Sequence, residues 1–92
     1  MRVDTDARRV FHGEDEIALS PREYDLLAYL LANAGRTVTR EQVMHAVWEG
    51  EWYGSPKTLD MHVLALRRKL GDDAKAPRHV VTVRGVGLRF EP

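Results

Sequence analysis

The hydrophobic and polar positions of the first 19 residues read as extended chain, in the short alternating runs "RRVF" and "EIAL", joined by "HGED" with its turn glycine. With "RV" at positions 2 and 3, this spacing predicts a small antiparallel sheet. The period then changes. Ser20, Pro21 and Glu23 supply an N-cap, a first-turn proline and the reciprocal residue of a capping box, and Leu19 and Tyr24 are placed as a hydrophobic staple across it. Leu26, Leu27, Leu30 and Leu31 follow at helical spacing until Asn33 and Gly35. Thr39 and Gln42 repeat the box, Val38 and Val43 repeat the staple, and Val43, Met44, Val47 and Trp48 give a second helix its apolar face, with Gly50 at its end. A third helix opens at Ser55 with Pro56 in its first position and stops at Gly71. Its Leu59, Val63, Leu66 and Leu70 lie within about 60° of one another on a helical wheel, and Lys57, Met61, Leu64 and Arg68 lie roughly opposite. The chain closes with "HVVTVRGVGLRF", residues 79–90, where Gly85 and Gly87 interrupt an alternating strand. Both glycines are expected to serve a tight reversal, with Arg84 at a narrow tip and Val81, Val83, Leu88 and Phe90 anchoring the hairpin to the core. The fold class is α+β: an N-terminal antiparallel sheet, three helices and a C-terminal β-hairpin, in one domain spanning 1–92.

Composition adds little until it is divided along the chain. Ninety-two residues with 43% hydrophobic and 30% charged side chains describe an ordinary globular domain with a small core. No apolar run is long enough for a transmembrane helix, and the first residues lack a signal-peptide pattern. There is no cysteine, which excludes disulfides and thiolate metal sites and fits a cytoplasmic, reducing setting. The net charge is zero, yet residues 1–56 hold 6 Lys+Arg against 10 Asp+Glu while residues 57–92 hold 8 against 4. The basic half carries the third helix and the hairpin, and can face an anionic polymer.

Enzymatic readings find no constellation. His12, His45, His62 and His79 are scattered without metal-ligand spacing, Ser20 and Ser55 serve better as caps than as nucleophiles, and "GVG" has no helix behind it to cradle a phosphate. No catalytic residue, cofactor or metal is expected. The third helix instead offers Lys57, Thr58, Met61, His62, Ala65 and Arg68 on its outer side. That mixture suits a major groove, where cations meet phosphates or guanine edges, hydroxyl and imidazole hydrogen-bond, and Met or Ala meets a thymine methyl. An ordinary solvated face is the plainer alternative. The preceding loop "EGEWYGS" is seven residues long, beyond the three or four of a standard helix-turn-helix. Its Trp52 and Tyr53 either fold back onto the core or form a protein-contact patch.

"LSPREYDLLAYLL", "GRTVTREQVMHAVW", "KTLDMHVLALRRKLGDD" and "VVTVRGVGLRF" together resemble the output domain of OmpR/PhoB-type response regulators, winged helix-turn-helix transcription factors of bacterial two-component systems, over essentially the whole chain. The resemblance implies a four-stranded N-terminal sheet, a short strand near Thr37 and Val38, a recognition helix over 56–70 in the major groove, and a wing over 80–90 whose Arg84 enters the minor groove. The family's DNA-contacting positions fall on Trp48, Lys57, Thr58, Met61, His62, Leu64, Ala65, Arg67, Thr82 and Arg84, to which the charge of Arg68 adds a phosphate contact. Leu64 and Ala65 stand where many members have arginine, and Lys57 also replaces an arginine, so apolar contact by Met61, Leu64 and Ala65 and phosphate contact by Arg67 and Arg68 are expected to carry more of the binding. Leu88 stands where an aromatic is common.

The partner implied is double-stranded DNA, at tandem sites because two guanine-reading arginines are missing. The loop residues Glu49, Glu51, Trp52 and Tyr53 match the family's RNA polymerase contact. A receiver domain and a sensor kinase belong to the full-length regulator; 92 residues leave no room for the receiver, so an isolated effector domain, monomeric off DNA and not membrane-bound, is expected. The competing function is a winged-helix module that contacts protein through 49–55 and does not bind DNA.

Overall fold

The computed structural model describes residues 2–48, 56–72 and 79–91. Its elements are β1 (Arg2–Asp4), β2 (Arg9–His12), β3 (Asp15–Ile17), α1 (Pro21–Ala32), β4 (Thr37–Thr39), α2 (Arg40–Trp48), α3 (Pro56–Leu70), β5 (Val80–Val83) and β6 (Gly87–Phe90). Ser55, expected to cap α3, and Gly50 lie outside the described residues.

The first three strands form an antiparallel sheet in the order β1-β2-β3, with Val3, Val10 and Ile17 aligned across it. Val10 is buried and the other two pack against the core, so the alternation read from the sequence faces the way it predicts. Among the described residues this sheet has three strands, not four. The short strand expected near Thr37 and Val38 is β4, which lies with the C-terminal hairpin in a second sheet ordered β4-β6-β5. Its pairing puts Val38 opposite Leu88, and both are buried.

Both expected capping boxes form. Ser20 Oγ accepts from the Glu23 backbone N–H at 3.2 Å and the Glu23 carboxylate accepts from the Ser20 N–H at 2.8 Å; Thr39 and Gln42 make the equivalent pair at 3.1 and 2.8 Å. Gly35 leaves α1 at φ +80° and donates to the Phe90 carbonyl at 2.9 Å, which stitches the α1 exit to β6. Arg22 of α1 donates to the Val47 carbonyl near the end of α2, and its guanidinium lies over the Trp48 ring. Leu26, Leu27 and Leu30 of α1 meet Val43 and Val47 of α2 and the Leu59, Val63, Leu66 and Leu70 stripe of α3 in one core, floored by Val80, Leu88 and Phe90.

The hairpin faces the core differently from the expectation. Val80 pairs with Phe90 and Thr82 with Leu88, so these four share one face; Val81 and Val83 share the other with Arg89 and Gly87. Val80 is therefore the buried valine, and Val81 and Val83 are half-buried on the opposite side. In "HVVTV" two registers both bury valine, and the Phe90 pairing selects between them. Arg89 forms an ion pair with Glu91.

Glu23 is the buried charged residue among those described, and it also receives Lys69 Nζ at 2.6 Å, joining α1 to α3. Burial alone would raise its carboxyl; hydrogen bonds from Lys69 and from Ser20 outweigh that and hold it below its ordinary value. A depressed carboxyl contributes stability that is complete above its unfolded pKa and lost as pH falls through the folded one. Glu23→Gln keeps the capping box and removes the charge. At neutral pH we expect it to cost about 1 kcal/mol, limited by the solvent exposure of Lys69. In urea melts the two proteins should converge below the ordinary carboxylate range; a gap that persists at acid pH would contradict this.

Candidate nucleic-acid interface

α3 lies against α1 and turns a stripe of four side chains outward. Lys57, Met61, Leu64 and Arg68 are all exposed, Met61 by 69% and Leu64 by 45%. Thr58, His62 and Ala65 flank the stripe and are half-buried. His62 Nδ1 lies 2.8 Å from the Thr58 carbonyl, and since that oxygen can only accept, Nδ1 carries the proton. The imidazole meets the Trp48 ring edge-on, with centroids 5.3 Å apart. Trp48 itself sits in the core cluster, 8% exposed, so the structure separates it from the outward stripe. Asp60 is paired with Arg40 of α2.

The end of α3 and the start of the hairpin are tied together by three devices. Gly71, at φ +78°, donates to the Arg68 carbonyl and Asp72 donates to the Arg67 carbonyl, which is a Schellman closure of the helix. The Asp72 carboxylate then accepts from the backbone N–H groups of His79 at 3.0 Å and Val80 at 2.9 Å. Arg67 completes the junction, donating from Nε to the Val80 carbonyl at 2.8 Å and from Nη2 to Thr82 Oγ1 at 2.6 Å. Burial pulls its pKa down, against the attraction of Asp72 and Asp60. The structure thus brings Arg67 and Thr82, both expected to touch DNA, into contact with each other.

Arg84 stands exposed at the hairpin tip beside Val86, which is 52% exposed. Val86 N–H donates to the Val83 carbonyl at 3.0 Å, closing a turn with Gly85 at φ +74°. A groove of about 500 Å³ separates the tip from the first turn of α2, lined by Thr39, Arg40 and Glu41 on one side and Thr82, Val83 and Val86 on the other. The sequence reading does not find this groove, because it depends on β4 pairing with β6. Glu49, Glu51, Trp52 and Tyr53 lie outside the described residues.

One helix with an open, cation-ended face, fixed beside a hairpin with a cationic tip, is the arrangement of a winged helix. The family model for "Transcriptional regulatory protein, C terminal" matches residues 13–90. The chain belongs to this family, the OmpR/PhoB-type DNA-binding domains. Among its relatives, the sensory transduction protein RegX3 of Mycobacterium tuberculosis is 44% identical over 91 residues, which cover 99% of this chain and 40% of that protein. The OmpR/PhoB-type domain therefore spans about two fifths of the length of such a relative. Among solved structures, the Klebsiella pneumoniae RstA DNA-binding domain in complex with the RstA box superposes with a TM-score of 0.90 at 31% identity, covering 98% of this chain and 89% of that one. The Thermotoga maritima response regulator DrrB, an OmpR/PhoB homologue, gives 0.89 at 33% identity, covering 98% of this chain and 41% of that one. These OmpR/PhoB-type neighbours share the winged-helix fold described above.

Proposed function

We propose that this domain binds double-stranded DNA sequence-specifically, with α3 in the major groove and the β5–β6 hairpin in the adjacent minor groove, as the cytoplasmic output domain of a two-component transcriptional regulator. The observation that carries this reading is the rigid junction through Arg67 and Asp72, which holds the outward stripe of α3 and the Arg84 tip in one fixed relation. A groove-reading helix needs such a second anchor on the phosphate backbone or in the neighbouring groove to fix its register. The similar RstA DNA-binding domain was crystallised in complex with the RstA box, which supports DNA as the ligand.

The contacts follow from exposure. Lys57 and Arg68 meet phosphates at the two ends of the helix. Thr58 and His62 present polar atoms to base edges. Arg84 enters a minor groove, where a narrow width deepens the negative potential that attracts arginine. Tandem sites compensate for the few base-reading arginines, the isolated domain is monomeric off DNA, and Glu49, Glu51, Trp52 and Tyr53 are the surface for RNA polymerase. A receiver domain and a sensor kinase complete the full-length regulator.

A salt titration tests the binding mode. Each neutralised phosphate releases counterions, so the logarithm of affinity should fall linearly with the logarithm of salt concentration. Arg84→Ala is expected to weaken binding about tenfold and to reduce the slope by about 1. An unchanged slope and affinity would remove the hairpin from the interface.

A further inference from the structure

The outward stripe of α3 runs cation, apolar, apolar, cation: Lys57, Met61, Leu64, Arg68. Single exposed apolar residues are common on protein surfaces. Here they adjoin, and they occupy the middle of the helix face that meets DNA. Between positions 58 and 66 there is no Arg, Lys, Asn or Gln, the side chains that pair two-fold with guanine or adenine edges. Asp60, which could accept from cytosine, is engaged by Arg40, and the protonated nitrogen of His62 is engaged by the Thr58 carbonyl. The centre of the reading face therefore offers mainly hydrocarbon and thioether.

At 1.5 Å per residue the two cations stand about 16 Å apart along the helix, against a major groove about 12 Å wide. Each can reach a phosphate wall while Met61 and Leu64 face the groove floor. The apolar group presented on that floor is the 5-methyl of thymine. We propose that Met61 and Leu64 select thymine by packing against its 5-methyl group, so that the half-site is read through methyl positions beside the polar contacts of Thr58 and His62, bounded by phosphate contacts. This inference rests on the DNA-binding reading above. Methionine suits the task because its unbranched, polarisable chain fits irregular apolar surfaces.

Uracil isolates the claim, because it keeps the pairing and the O4 acceptor of thymine and lacks only the methyl. The probe is a duplex recovered by this 92-residue chain from a random pool, synthesised once with thymine and once with uracil. Removing each contacted methyl is expected to weaken binding about fourfold. The salt slope should stay constant, since the phosphates are unchanged. The double variant Met61→Ala, Leu64→Ala should bind both duplexes equally, at about the affinity of the unaltered domain for uracil DNA. Both side chains are exposed, so its melting temperature should hold; Leu64→Ala alone supports the same comparison at smaller size. Equal, salt-dependent binding of thymine and uracil duplexes by the unaltered domain would overturn the methyl readout and leave the DNA-binding reading standing. A thymine preference that survives in the double variant would also overturn it, assigning the preference to duplex shape. Failure to bind any duplex at low salt would remove both.

Discussion

Gly87→Ala should unfold the hairpin sheet. A Cβ on Gly87 would lie 1.9 Å from the Val38 carbonyl oxygen, 2.8 Å from its carbon and 2.9 Å from the Thr39 Cα. All three are backbone atoms of β4, so no side-chain rotation relieves the clash. The strands must separate, which breaks the pairing of Val38 with Leu88 and opens the core beneath Val80 and Phe90. A loss of about 4 kcal/mol or more is expected, in the range reserved for the severest single substitutions. For a domain of this size that corresponds to a fall in melting temperature of roughly 15 °C or more. Gly85→Ala is the internal control. Gly85 sits at φ +74° with nothing near its missing Cβ, so alanine there meets only the left-handed backbone cost, about 1–2 kcal/mol. Equal melting temperatures for the two variants would contradict the account.

The two glycines show what the sequence carries and what it hides. "RGVG" signals a reversal, and the turn at Gly85 is the one it signals. The role of Gly87 is not local: it admits the backbone of a strand nearly fifty residues earlier, and no spacing within the hairpin reveals that partner. The same applies to β4 itself, which is legible as a short strand but not as a member of the hairpin sheet. Elements defined by local chemistry were fully legible. Both capping boxes and the buried stripe of α3 follow from caps and periodicity, since these depend on residues three or four apart.

Arg67→Ala is expected to have the second largest effect, and of a different kind from Arg84→Ala. The family resemblance places Arg67 among the DNA-contacting positions, with phosphate as its expected partner, although the helical wheel sets it near the core edge. The structure turns its guanidinium inward, onto the Val80 carbonyl and the Thr82 hydroxyl. Removing it leaves a half-buried carbonyl without its donor, at a cost of about 1–3 kcal/mol in stability. It also frees the hairpin to swing relative to α3, so DNA affinity should fall although no phosphate contact is lost. Arg67→Lys should recover little, since an ammonium cannot reproduce the fork that holds both acceptors. The diagnostic is a crossed pattern: Arg67→Ala lowers the melting temperature and keeps the salt slope, whereas Arg84→Ala keeps the melting temperature and lowers the slope. A reduced slope for Arg67→Ala would return it to the phosphate contacts.

The outward stripe was legible residue by residue, because its exposure follows from the wheel once the core stripe is known. Its relation to the hairpin was not, because the junction is built by Asp72 and Arg67 acting on backbone groups of β5. A side chain that bonds the backbone of a strand many residues away leaves no residue-type pairing for a sequence pattern to reveal, unlike the capping boxes, whose partners lie three residues apart.

The central claim is that α3 and the hairpin tip occupy adjacent grooves of different kinds. The chain has no cysteine, so one introduced at an exposed position is a unique attachment point. An iron chelate tethered through Val86→Cys, generating hydroxyl radicals on bound DNA, tests the claim most directly. Radicals released in a minor groove cleave the two strands at positions offset toward their 3′ ends, and this is the predicted pattern, next to the half-site covered by α3. Cleavage offset toward the 5′ ends, or none above that of untethered chelate, would contradict it.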